Sequence, residues 1–200
     1  MPRRKAGAAS GVYVALLRAV NVGGNNMVSM KALASSFQKA GFRDVATYIN
    51  SGNVMFRSAE HDSRAIESVV DSLLSRNHGI ETKCIVRSAD EIAGLVRTMN
   101  TTWKMDEAWR YHVLFLRHTI DSKAVLRDFD ADSDLERVTY CPGTLLWSVK
   151  VDGVERSAIT KLLGRRVSHD MTARNVNTTR RIFELMQAMQ GMSDRPTTSA

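Results

Sequence analysis

Cysteine is nearly absent from this chain. Cys84 and Cys141 lie far apart, and neither belongs to a CxxC pair. That excludes a disulfide framework and a thiolate zinc site, and it predicts a reduced, cytoplasmic setting. Long apolar runs are missing too. None approaches the roughly 18 residues that a membrane helix needs. Arg3, Arg4 and Lys5 precede the apolar run Val12–Leu17, but that run is too short for a signal peptide and Arg18 interrupts it. Residues 1–10 therefore read as a disordered basic tail, and 192–200 as a loose one. The familiar catalytic and nucleotide-binding signatures are also lacking. There is no GxGxxG, Walker loop, HExxH or GxSxG. His112 and His118 share a strand face but stand about 20 Å apart by strand rise, and His61, His78 and His169 have no ligand-like spacing. No metal site is expected, and neither a catalytic set nor a cofactor can be named. Cys84 sits in an apolar strand and reads as core.

What is present is ordinary globular composition, with 44% hydrophobic and 24% charged residues in 200. That length suits one domain or two small ones. The net charge of +7 is concentrated at the ends. The first five residues carry +3, the segment from Gly153 onward carries +4, and the middle is neutral. Basic ends can steer anions, nucleic acid included, or simply keep the chain soluble.

The hydrophobic pattern predicts an α+β protein. Gly11–Val20 reads as a strand and Val28–Ala40 as a helix that Gly41 stops. Val45–Ile49 and Val54–Phe56 read as strands joined by the turn Asn50-Ser51-Gly52-Asn53. A helix spans Ile66 to Leu74, and Ile80–Val86 is a fourth strand. This β-α-β-β-α-β order is the ferredoxin-like plait. A capping box at Ser88 and Glu91 opens a helix through Met99, and 100–110 is a loop. The second half then repeats the plan with strand Tyr111–Arg117, helix Ser122–Phe129, and strands Leu135–Cys141 and Thr144–Val151 around Pro142-Gly143. A helix around Val154–Leu163, a short strand near Val167 and a last helix from about Asn177 to Gln190 follow. The expected organisation is two tandem ferredoxin-like subdomains, 11–87 and 111–191, linked by 88–110.

Three polar clusters interrupt this pattern. Arg18, Asn21, Gly23, Gly24 and Asn25 follow the first strand. A guanidinium at a strand end is costly to bury unless paired, and paired glycines let backbone N–H groups approach a ligand. Ser51, Gly52 and Asn53 form the hairpin turn. Strands one and three of a plait are neighbours, so this turn is expected against the Asn21–Asn25 loop. Arg174, Asn175 and Asn177 precede the last helix, where free N–H groups bind anions. Each cluster also has a plain structural reading, as turn, hairpin or cap. Val12–Leu17 is similar to an RNA-contacting strand, but Asn53-Val-Met-Phe56 lacks the aromatic pair that stacks bases.

These motifs resemble a bacterial family of unknown function, DUF1697. Its leading strand reads roughly YVALLRGINVGG, against Tyr13-Val-Ala-Leu-Leu-Arg-Ala-Val-Asn-Val-Gly-Gly24. A GF-DV-TYI-SGNVVF segment corresponds to Gly41–Phe56, and TARNWNT to Thr172–Thr178. The likeness runs in order over about residues 12–190. Ala19 replaces a usual Gly, Val176 a usual Trp, and Asn100-Thr-Thr an Asn-Pro-Phe loop. The resemblance implies two ferredoxin-like subdomains and no established activity. It marks the three polar clusters as a signature surface.

The expected function is cytoplasmic binding of a small phosphate- or carboxylate-bearing ligand, such as a nucleotide, at the Gly-Gly loop. Arg18 and Arg174 would neutralise charge, and Asn21, Asn53 and Asn175 would orient the ligand. An enzyme using Ser51 in the same pocket, or a nucleic-acid module using the basic ends, are the alternatives. No membrane partner is expected, and the oligomeric state is not legible.

Overall fold

The computed structural model describes residues 10–21, 26–50, 52–129, 131–132, 134–162 and 165–193. Both expected tails fall mainly outside these residues. The chain forms two four-stranded antiparallel sheets with helices, a tandem of ferredoxin-like subdomains.

The first subdomain runs β1 (Gly11–Leu17), α1 (Met30–Lys39), β2 (Arg43–Tyr48), β3 (Asn53–Ser58), α2 (Ser63–His78) and β4 (Cys84–Ser88). Its sheet order is β2-β3-β1-β4. Val12 through Leu17 are all buried, so both faces of β1 are covered, which is why it reads as a continuous apolar run. Tyr13, Ala15 and Leu17 share a core with Phe56, Val86, and Leu33 and Phe37 of α1 and Ile66, Val70 and Leu74 of α2. Register places Val12, Val14 and Leu16 beside Arg57, Met55 and Asn53 on the opposite face. There the Arg57 guanidinium donates to the carbonyl of Met189 in the last helix.

Next come α3 (Ala89–Thr102), β5 (Trp109–Leu116), β6 (Glu136–Cys141), β7 (Thr144–Lys150), α4 (Ala158–Leu162), β8 (Met171–Asn175) and α5 (Val176–Ser193). The capping box at α3 forms: Ser88 N–H donates to Glu91 at 2.7 Å and Glu91 N–H to the Ser88 hydroxyl at 3.2 Å. The second sheet has order β6-β7-β5-β8, the same topology as the first. Leu114, Leu116, Leu145, Trp147 and Val149 form its core with Val125, Phe129, Ala158 and Leu162. Glu136 is buried here, accepting from Trp147 Nε1 and from the Ala158 N–H at the start of α4, both at 2.6 Å.

Some local expectations need correction. The first strand stops at Leu17 rather than Val20, because Ala19 and Asn21 take left-handed backbone (φ 51 and 54). The two crossover helices of the second subdomain are reduced. Lys123–Asp128 and Val151–Arg156 are 3₁₀ turns, and only the five residues of α4 are α-helical. Gly153 is packed in that turn, where an added Cβ would meet Leu135 Cδ2 at 3.2 Å. Val167 lies in a third 3₁₀ turn, and the closing strand is Met171–Asn175.

By its internal contacts the chain forms two compact units. One extends through Glu91 and resumes at Ile182, and the other is Ile92–Arg181. The division falls inside α3 and inside α5, so the end of α5 groups with the first subdomain rather than with the 111–191 segment.

Candidate functional site

The end of β1 in the first unit is built by three backbone stretches. Leu17 N–H donates to Gly52 O at 2.8 Å, which ties the strand to the hairpin turn. Gly52 has φ 75, and an added Cβ would stand 2.7 Å from Leu17 Cβ, so glycine is required on two counts. Asn21 Nδ2 donates to Val28 O (2.9 Å) and Asn50 O (3.0 Å), while its Oδ1 accepts from Val28 N–H (2.7 Å). Asn26 Nδ2 donates to Ala19 O at 3.0 Å. Asn53 is fully buried and donates to Tyr48 O at 3.1 Å. The loop after β1 and the hairpin turn are therefore adjacent. The amides of Asn21 and Asn53, expected to orient a ligand, bind the loops themselves. Gly23, Gly24, Asn25 and Ser51 lie outside the described residues.

Arg18 differs from these neighbours. It is partly buried, and its guanidinium makes no hydrogen bond or ion pair among the described residues. Its carbonyl accepts from Thr82 Oγ1 at 3.0 Å. The pairing of Leu17 with Cys84 carries Lys83 to the same sheet end as Arg18.

The second subdomain repeats this strand end. Leu116 N–H donates to Gly143 O at 2.9 Å, as Leu17 does to Gly52, and Gly143 has φ 79. The residue after Leu116 is again an arginine. Arg117 is buried, and its N–H donates to Asp170 O at 2.8 Å. Here a carboxylate supports the turn: Asp121 Oδ1 accepts from Gly143 N–H (2.8 Å) and Tyr140 O–H (3.0 Å). In the first copy the amide of Asn21 braces the corresponding loop. Neither Lys83 nor this duplicated strand end stood out in the sequence. Its signal was the pair Leu17-Arg18 and Leu116-Arg117, each followed downstream by Gly-Asn-Val-Met-Phe or Gly-Thr-Leu-Leu-Trp.

Arg174, Asn175 and Asn177 belong to the second unit. Arg174 lies within β8, opposite Val113, rather than at a helix start. Its Nη1 donates to Thr172 Oγ1 (2.9 Å) and Ala173 O (2.8 Å), and burial pushes its pKa down to about 10. It remains protonated at neutral pH. Asn175 Oδ1 accepts from Thr178 N–H at 2.7 Å, capping α5. Asn175 and Asn177 line a cleft of about 500 Å³ with Trp109, Arg110 and His112. Burial, then the charge of Arg110, holds the His112 imidazole below its usual range. Among the described residues there is no cluster of metal-ligating side chains and no helix long and apolar enough to cross a membrane.

Residues 11–147 match the family model described as a protein of unknown function (DUF1697). In three dimensions the chain is similar to the structure of a conserved bacterial protein from Streptococcus pneumoniae. The TM-score is 0.78 and the identity 22%, covering 90% of this chain and 99% of the other. No curated protein matches. The structural likeness speaks for the fold, and the family match spans the first subdomain and most of the second sheet. The chain belongs to the DUF1697 family.

Proposed function

We propose that this protein is a cytoplasmic binding protein for a small anion, phosphate- or carboxylate-bearing, held at the end of β1 by Arg18. One observation carries the reading. Arg18 is a partly buried guanidinium without a described partner, at the same fold position as the buried Arg117. A cation held partly out of water gains most when an anion completes its fork of donors. Lys83 stands at the same sheet end. The rigid bracing by Gly52, Asn21 and Asn53 fixes the strand end without occupying Arg18.

The test is a thermal-shift screen of nucleotides, sugar phosphates and small carboxylates against wild type and Arg18→Ala. The expected outcome is a ligand that raises the melting temperature of wild type and leaves the variant unmoved. At a ligand concentration of about 100 Kd the stabilisation is about 2.7 kcal/mol. A variant that melts far below wild type, with no ligand shifting either protein, would make Arg18 a purely structural residue.

A further inference from the structure

One face of the second sheet differs from the matching face of the first. Register places Trp109 and Tyr111 of β5, Arg137 and Thr139 of β6, and Leu146 and Ser148 of β7 on one side. On the matching face of the first sheet, the residues of β1 are buried Val12, Val14 and Leu16. In the second sheet the apolar part of this face, Val113, Phe115 and Leu146, is buried as well. Beyond it the surface changes to aromatic and basic, and a groove of about 490 Å³ opens between the sheet and the end of α3. Trp103 forms one wall, its ring 5.3 Å from that of Tyr111 at 60°. Trp109 forms another, with the Arg137 guanidinium 4.6 Å above its ring and Lys150 Nζ at 5.9 Å. Lys104 also lines the groove.

None of Lys104, Arg137 and Lys150 pairs with a carboxylate among the described residues. The acid in the wall, Asp106, is committed to the turn, where its Oδ1 accepts from Ala108 N–H at 2.8 Å. Arg137 is exposed and stacked, so its face rests on the indole and its edge donors remain available to an anion. The indole rings offer flat apolar surface to a planar ring, and exposed Thr139 offers a hydroxyl, while Tyr111 and Ser148 are buried beneath them. A ligand that satisfies all of these is planar, aromatic, hydrogen-bonding and negatively charged.

We propose that this groove binds a nucleoside phosphate, its base stacked on the Trp103–Trp109 walls and its phosphate at Arg137 and Lys104. The unit is either a free nucleotide or one residue of a single strand. The site lies within the second unit and stands independently of the Arg18 reading.

The experiment uses the full chain, with a fluorescein-labelled uridine octamer read by anisotropy and uridine monophosphate as competitor. Wild type, Trp109→Leu, Arg137→Gln and Arg18→Ala are compared, with melting temperatures recorded for each. Stacking on one ring and one phosphate contact are each expected to weaken binding at least about fivefold when removed. Arg137→Gln should also flatten the salt dependence by about 0.7 per lost contact. Arg18→Ala should bind as wild type. An octamer bound more than tenfold tighter than the monophosphate identifies a strand as the source, and equal affinity identifies the free nucleotide. The proposal fails if neither probe binds, or if Arg137→Gln, an exposed change that keeps the fold, binds as wild type. It also fails if polyglutamate competes as well as the octamer.

Discussion

Ala19 occupies the left-handed region at φ 51, immediately after Arg18. A Cβ there costs about 1–2 kcal/mol, partly offset because alanine loses less chain entropy than glycine on folding. The usual glycine of the family pattern has this physical reason. Ala19→Gly is expected to stabilise the protein by about 1 kcal/mol, read as a higher urea midpoint with unchanged slope. A lower midpoint would mean that the alanine methyl makes a contact outweighing the strain. Ile49 is the harsher case, a β-branched residue at φ 50 that is 48% exposed. Both strained residues stand at the β1 end, where strain commonly accompanies binding. The sequence exposed Arg18 at once, since a charge closing an apolar strand stands out. It did not expose the occupation of Asn21 and Asn53, because an asparagine that braces a loop and one that orients a ligand are written alike.

At the scale of elements, β4 is an edge strand with N–H groups that no further strand receives. Helix α2 covers them. Val86 N–H donates to buried Glu67 Oε1 at 3.1 Å, and Cys84 N–H to Asp71 Oδ1 at 2.8 Å. Edge strands left open are templates for aggregation. Glu67→Ala would orphan a buried donor, at a cost of about 1–3 kcal/mol. Glu67→Gln keeps an acceptor and is expected to lie within about 1 kcal/mol of wild type. Urea denaturation of both, with light scattering after refolding, checks this. Equal midpoints for alanine and glutamine would show that Val86 finds another acceptor. The 3.6-residue spacing of Ile66, Val70 and Leu74 made α2 easy to read, yet Glu67 on the same buried face was invisible to an apolar pattern. The second subdomain was harder because its crossovers are too short to show periodicity. Met171–Asn175, with its polar Thr, Arg and Asn, shows no apolar strand pattern, so the closing strand was expected near Val167 instead.

At the scale of the whole molecule, pH acts through His112, whose ring stacks 5.0 Å from that of Trp147. Its native pKa lies below the ordinary 6.5, chiefly through burial. Below pH 6.5 the unfolded chain therefore takes up a proton that the native state resists, and stability falls as pH drops through that window. Above 6.5 the imidazole is neutral in both states and contributes no slope. His112→Gln should flatten the decline of melting temperature between pH 6.5 and 5. An unchanged slope would assign the decline to other groups.

The grouping of residues beyond Ile182 with the first unit sets an order of assembly. Synthesis delivers the first subdomain's strands early, and the Ile92–Arg181 unit then emerges whole. The Met189 carbonyl that receives Arg57 arrives only afterwards. At typical synthesis rates the intervening stretch takes on the order of ten seconds. During that interval Arg57 of β3 waits for the carbonyl that later receives it. The part of the fold made first is thus the last to close.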